Sequence, residues 1–396
     1  MSGTKFASYR IVRVFTSCLL IGALAIAAVS GPVTVGADLS CNGYPPTIYG
    51  SGTLNGTAGD DVIIGSNSAD LIFGNGGDDI ICGRGGADEI HGGDGEDEID
   101  GGTNLDVLYG DADNDYLYGG DSDDHLSGGD GDDSLNGVNG DDHLVGGDGD
   151  DNMTGLYGDD RLYGQAGNDR LTGSFGNDTI SASSGNDIIC GDNCLNEDSF
   201  GDDVIDAGSG NDLIHAGLGN DQVNGSSGAD EMYGDGGDDV ILGGSANDLI
   251  FGDLGDDQIN GEEGDDVLSG DTPDGAVNAL SGGDDWVVGG EGDDTLNGSQ
   301  GADTLDGSDG TDTISGGAGN DTAHAGYGDD LVYGGTGDDS LSGDQDNDTI
   351  NGDSGNDSIY GKSGNDALSG GTGSDYCSGS TGVDAAANCE MVVGVP

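Results

Sequence analysis

Positive charge is what this chain has least of. Lys and Arg number 7 against 79 Asp and Glu in 396 residues, a formal net charge of −72. Nucleic acids and anionic membrane surfaces are held by basic patches, so neither is an expected partner, and cations are. Proline (5 residues) and tryptophan (1) are nearly missing. With so little proline, and with glycine not recurring every third residue, a collagen helix is excluded. The 86 glycines argue against long helices as well, since each costs about 1 kcal/mol relative to alanine in a helical position. No G-x-S-x-G, H-E-x-x-H or Walker motif occurs.

What the chain does have is a nine-residue frame: Gly, any, any, Gly, Asp or Asn, Asp, any, aliphatic, any. Residues 74–82 read GNGGDDIIC, 146–154 GGDGDDNMT and 316–324 GGAGNDTAH. With Asp as position six, three runs hold fifteen, eight and twelve rows, thirty-five in all, from Asp61 to Asp384. Position eight carries an aliphatic in register: Ile63, Ile72, Ile81, Ile90, Ile99, Leu108, Leu117 and onward to Leu368. Low hydrophobicity with high charge is the usual signature of disorder, but a disordered tail has no reason to hold that register. Side chains alternate across a strand, so position eight points inward and positions seven and nine outward. The first six residues of a row are expected to form the turn and the last three a short strand.

The frame resembles the RTX nonapeptide G-G-x-G-x-D-x-U-x, a calcium-binding repeat, over about residues 56–387. The resemblance implies an all-β parallel β-roll, a solenoid with two rows per coil; thirty-five rows would make about seventeen coils and a length on the order of 80 Å. It also implies Ca²⁺ between turns on one edge of neighbouring coils, two rows apart: Asp61 with Asp79, Asp70 with Asp88, Asp79 with Asp97. Gly carbonyls at positions two and four would complete the shell of hard oxygens that calcium requires. The candidate ligands are Asp61, Asp70, Asp79, Asp88, Asp97, Asp106, Asp115, Asp124, Asp133, Asp142, Asp151, Asp160, Asp169, Asp178 and Asp187 in the first run. The second run gives Asp203, Asp212, Asp221, Asp230, Asp239, Asp248, Asp257 and Asp266. The third gives Asp285, Asp294, Asp303, Asp312, Asp321, Asp330, Asp339, Asp348, Asp357, Asp366 and Asp375. Roughly thirty such ions would bring about +60, close to neutralising the chain. Position five varies among Asp, Asn, Ala, Glu and Val, so it is not an obligatory carboxylate. Position four departs from Gly at Ser68, Asn104, Asp113, Ser122, Ala246 and Asp346, three of them in consecutive rows over 101–127.

The N-terminus reads as an export leader. Lys5, Arg10 and Arg13 precede an apolar run from about Val14 to Val29, shorter than the roughly 20 residues a spanning helix needs. Cleavage is expected after Ser30 or Ala37; loss of residues 1–37 takes the charge to −75 and leaves no membrane span in the mature chain. RTX proteins usually leave through a one-step channel on an uncleaved C-terminal signal, so this leader marks a departure. Residues 38–55 are expected to cap the open end, with Pro45, Pro46, Ile48 and Tyr49 covering the apolar outer face of the first rows (Val62, Ile64, Leu71, Phe73). Then come a first block (56–190), an insertion (191–197), a second block (198–269), an insertion (270–279), a third block (280–387) and a tail (388–396). Because the period resumes after each insertion, both are expected to be extruded from a continuous stack. Six cysteines remain after the leader, an even number that suggests disulfides in an exported chain. The expected pairs are Cys41–Cys82, Cys190–Cys194 and Cys377–Cys389. A structural zinc site is disfavoured, since these pairs are far apart and no His accompanies them.

The other readings fail on particular residues. Asp111, Asp113 and Asp115 alternate as in an EF-hand, but no helices are expected to flank them. The histidines (His91, His125, His143, His215, His324) fall at outward strand positions and read as solvated surface. Outward aromatics at position nine (Phe73, Tyr109, Tyr118, Tyr163, Tyr233, Phe251, Tyr333, Tyr360) lack the eighteen-residue spacing of a carbohydrate platform, apart from Tyr233 with Phe251. Position three runs Ala58, Asn67, Gly76, Gly85, Asp94, Thr103, too irregular for an ice-binding face. The expectation is a secreted, non-enzymatic, multi-site calcium-binding repeat protein of the cell surface or matrix, folded by Ca²⁺. Matrix polysaccharide, the cell surface or another surface protein are its candidate partners. The alternative is an accessory module of an extracellular polysaccharide-acting enzyme.

Overall fold

The nine-residue period becomes an eighteen-residue coil. In the computed structural model, Ile72 pairs with Ile90 and Ile81 with Ile99, in parallel. Successive rows alternate between two sheets of nineteen strands each, and no helix occurs among the described residues. Those residues are 40–192, 199–271 and 282–394; the leader expected over 1–37 lies outside them. Eighteen gaps of about 4.8 Å give a β-roll of about 85 Å. Every position-eight aliphatic from Ile63 to Leu368 is buried, in one core column that runs between the sheets.

Most strands are longer than expected. Leu71–Gly76, Ile80–Gly85 and Glu89–Asp94 each run six residues, so the ladder extends over positions one to three and only positions four to six turn. The bend inside each strand comes at position two, which adopts a left-handed φ even where it is Asn75 (78°), Arg84 (82°), Val138 (86°) or Leu156 (82°). Position four is left-handed in most rows too, and Asn104, Asp113, Ser122, Ala246 and Asp346 all adopt that conformation; Gly59, Ser68, Gly201 and Gly283 do not. Position one needs glycine for space instead. A Cβ on Gly101 would stand 2.8 Å from Asp106 Oδ2 and 2.9 Å from the carbonyl oxygen of Gly119 on the next coil.

The two sheets pass through both insertions unbroken: Thr179 pairs with Val204 and Gln258 with Trp286. The first break comes two residues later than the sequence suggested. Gly191 stays in the ladder because it, not a later residue, faces Asp203 across the turn. The extra chain lies between Asp192 and Phe200, and in the second case between Asp271 and Gly282. In an unbroken turn the position-two carbonyl accepts the position-three N–H of the next coil, as Asp235 does for Leu254. At the breaks a buried aspartate side chain takes that part: Asp192 Oδ2 accepts Leu218 N–H at 2.7 Å and Asp271 Oδ2 accepts Gln300 N–H at 3.1 Å.

Both ends are stapled. Cys41 bonds Cys82 with Cα atoms 5.8 Å apart, and Cys377 bonds Cys389 at 6.0 Å. Cys190 is disulfide-bonded as well; Cys194, its expected partner, lies outside the described residues. The outer face of the first rows is covered by Cys41, packed with Ile64, Cys82, Val62 and Ile80. Ile48 turns inward to the main core, and Tyr49 stays exposed. Residues 388–396 are not merely a tail: Met391–Val393 adds a last strand on Tyr376–Ser378.

Candidate metal centre

Each position-six aspartate is fixed by its neighbours on adjacent coils. Asp79 is typical. Its backbone N–H donates to Asp97 Oδ1 at 2.8 Å, its carbonyl accepts Glu98 N–H at 2.9 Å, and its own Oδ1 accepts Asp61 N–H at 2.7 Å. The expected pairs eighteen residues apart are therefore in contact, and the ladder continues to the C-terminal end. All thirty-four aspartates named from the sequence are buried.

In all but the first two, the second oxygen has no partner in the chain. In thirty-three turns from Asp79 to Asp384, Oδ2 is buried without a hydrogen-bond partner. A buried polar atom left unpaired is expensive, and a buried charge more so. Burial accordingly pushes most of these carboxyls up, to about 7 at Asp97, about 8 at Asp115 and Asp239, and about 9 at Asp178, with the Oδ1 hydrogen bond opposing the shift and neighbouring carboxylates adding to it. One isolated orphan would be a defect. A column of them on both edges of the roll is a design for a cation.

The donors around each orphan are hard oxygens. Oδ2 faces the position-one Cα, which is glycine in all but four turns, and at those glycines an added Cβ would collide with it; the position-one carbonyl of the next coil lies beside it. The position-four carbonyl points along the stack: a Cβ on Gly95 would stand 2.5 Å from the carbonyl oxygen of Gly77. Among the described residues no three His, Cys, Asp or Glu side chains cluster as a metal site. That fits a site with few carboxylates per ion and backbone carbonyls for the rest. Carboxylate and carbonyl oxygen without nitrogen or sulfur is the donor set of Ca²⁺.

Position five has a different task. Its side-chain oxygen accepts the position-five N–H of the following coil, opposite in direction to the position-six bond. Asp132 accepts from Asp150 at 2.9 Å, Asp150 from Asn168 at 2.7 Å and Asn168 from Asn186 at 2.9 Å. Asn serves as well as Asp because an acceptor is needed and a charge is not.

Two of the named aspartates differ from the rest. Asp61 and Asp70 have both carboxylate oxygens hydrogen-bonded within the chain. Burial raises the Asp61 carboxyl, but bonds from Thr47 and Thr57 outweigh it and hold the group below its ordinary value. Conversely, Asp384 carries the orphan oxygen although it was not among the named ligands. Its frame is regular, but Ala386 replaces the usual aliphatic of that row.

The histidines are not plain solvated surface. His91 is stacked between Phe73 and Tyr109, with ring centroids 5.1 and 4.6 Å apart, and His215 stacks on Tyr233, which stacks on Phe251. The spacing of eighteen was in the sequence, but it emerges only when histidine is counted as a ring. These rings turn their faces to one another, which leaves mainly edges for a sugar.

The model of the RTX calcium-binding nonapeptide repeat (4 copies) matches the chain in twelve stretches, which together cover residues 49–193, 198–268 and 281–385. The uncovered gaps coincide with the two insertions. No curated protein matches the chain at a significant level.

Proposed function

Because this chain belongs to the RTX calcium-binding nonapeptide-repeat family and is a calcium-binding repeat protein, we propose that it is a secreted structural rod whose β-roll forms when calcium is bound. The column of thirty-three buried, unpartnered Oδ2 atoms carries this reading. When bound, calcium supplies the positive charge and coordination that those oxygens lack. The chain does the remainder. Position-one glycines leave room in front of Oδ2 in all but four turns, left-handed turns aim the position-four carbonyls along the stack, and Oδ1 bonds hold each carboxylate in register. Without the ion the folded state would hold these carboxyls against burial and mutual repulsion, which favours the open chain.

Secretion is supported by the leader-like N-terminus and by disulfides at both ends of the roll, which persist in oxidising compartments. Continuous sheets through both insertions make the roll one stiff body suited to a structural or adhesive part at a cell surface or in a matrix. The role is non-enzymatic in this reading. The test is far-UV circular dichroism of the leaderless chain. Chelator should give a coil spectrum and millimolar Ca²⁺ a β spectrum; a β spectrum indifferent to chelator defeats the proposal.

A further inference from the structure

We propose that the first two turns, residues 56–61 and 65–70, form a calcium-independent cap, and that the calcium ladder starts at Asp79. The inference rests on the calcium-binding reading above, and it concerns the place where the donors do not fit the ion.

At Asp61, Oδ1 accepts the Thr47 hydroxyl and Oδ2 accepts Thr57 N–H, both at 2.8 Å. At Asp70, Oδ1 accepts Gly52 N–H and Oδ2 accepts Ser66 N–H, the latter at 2.6 Å. The oxygens that are orphaned in the following thirty-three turns are thus all satisfied here. The position-four carbonyls are engaged too. Thr57 Oγ1 donates to Gly59 O at 3.0 Å and Ser66 Oγ to Ser68 O at 3.2 Å. A hydroxyl at position two therefore occupies the carbonyl that elsewhere points along the stack.

The backbone agrees independently. Thr57, Gly59, Ser66 and Ser68 all lie outside the left-handed region, whereas Asn75 (78°) and Gly77 (94°) in the next turn lie inside it. The stacking differs accordingly. The atoms nearest a Cβ on Gly77 would be Asp60 N and the Gly59 carbonyl carbon and Cα, whereas a Cβ on Gly95 would meet the carbonyl oxygen of Gly77 first. The Gly59 carbonyl has turned away from the next coil. These turns also sit under their own apolar cluster of Cys41, Ile64 and Cys82, tied by the Cys41–Cys82 disulfide.

A segment that satisfies its own carboxylates and carries its own staple has no need of the ion. With calcium absent it presents a formed edge on which the first ion-dependent coil is laid. The roll then grows from its N-terminal end.

Hydrogen exchange on the oxidised, leaderless full chain tests this. In excess chelator, peptides within 47–73 should exchange at least about tenfold more slowly than peptides from 100–390, which should exchange as open chain. Uniformly fast exchange overturns the cap. Native mass spectrometry in saturating calcium gives a second reading. Asp61→Asn with Asp70→Asn should bind as many ions as the parent, because neither carboxylate holds an ion; each asparagine still keeps one of the two acceptor oxygens. Asp124→Asn with Asp142→Asn should bind fewer. Loss of ions from the first pair overturns the assignment. A parent chain that binds no calcium at all defeats the functional reading instead, and protection of 47–73 would survive that outcome.

Discussion

Asp203 Oδ1 accepts the backbone N–H of Asp178 at 2.8 Å although twenty-five residues separate them. In an unbroken stretch the same bond spans eighteen, as from Asp160 to Asp178 at 2.8 Å, and at the second insertion it spans twenty-eight, from Asp257 to Asp285 at 2.9 Å. Position-six carboxylates meet the coil below wherever the intervening chain travels. The carboxylate ladder, with the core column beside it, sets the register of the roll. An insertion is tolerated where it leaves that ladder whole.

Positions five and six should separate cleanly under substitution. Asp239 offers a partnerless buried Oδ2, while Asp238 accepts Asp256 N–H at 3.1 Å from an exposed site. Asn at position 239 keeps the Oδ1 acceptor but loses the charge. Asp239→Asn should raise the calcium needed for half-folding about tenfold, the scale of one charge-assisted contact of about 1.5–3 kcal/mol. Asp238→Asn should leave it unchanged, since Asn220 already fills that place one coil earlier. Calcium titrations followed by circular dichroism read both; equal shifts would refute the division of labour.

Proton and calcium should compete for the same oxygens. Burial raises most of these carboxyls above 3.8, to about 6 at Asp79 and about 9 at Asp178. A carboxyl whose folded value lies above its unfolded one holds its proton better in the folded chain. Its contribution to stability is therefore fully present below about pH 4 and is lost as pH rises through the folded value. In chelator, β structure should be greater near pH 4.5 than at pH 8. With calcium, the midpoint concentration should rise as pH falls. A chelated chain equally unfolded at both pH values would show that protonation cannot substitute for the ion.

What could be read from the sequence followed from side chains whose identity is their role. The position-six carboxylate and position-eight aliphatic repeat because only those types serve there, so the core column was legible in the residues, and the coil and the pairs eighteen apart were legible through the RTX resemblance. The left-handed bend at position two was not, because Val138 and Leu156 occupy it as well as glycine does, and no residue type marks it. Nor was the special state of Asp61 and Asp70. Their frame is ordinary, and the difference lies in the backbone at Thr57 and Ser66, which stays out of the left-handed region and turns each N–H onto Oδ2; a hydroxyl alone does not mark it, since Ser183 and Ser226 hold the same position in left-handed turns.

The C-terminal staple should hold the last rung. Cys377 lies opposite Val392, so the disulfide to Cys389 closes the loop that brings Met391–Val393 onto the sheet edge. A loop of this size is worth about 3 kcal/mol in the chain-entropy model. Cys377→Ser with Cys389→Ser should speed hydrogen exchange over residues 376–394 in saturating calcium and leave the middle of the roll untouched. Unchanged exchange there would mean that strand pairing alone secures the end.

Four turns test the glycine cradle itself. Position one is Ala182, Ala207, Ala216 and Ala325 in the turns of Asp187, Asp212, Asp221 and Asp330, and each alanine is fully buried. At the equivalent Gly83 a Cβ would stand 2.5 Å from Asp88 Oδ2, so in these turns the methyl group is expected to crowd the oxygen that faces the ion. Ala182 and Ala207 are consecutive on one edge, so two methyl groups fall together at the pair Asp187 and Asp212. Ala182→Gly with Ala207→Gly should lower the calcium at which residues 180–215 become protected from hydrogen exchange. Glycine by itself costs about 0.5–1 kcal/mol of backbone entropy, so the same substitution should weaken any structure formed in chelator. Opposite signs with and without calcium isolate relief of crowding at the ion's oxygen; destabilisation in both conditions would show that the methyl groups pack without obstructing the site.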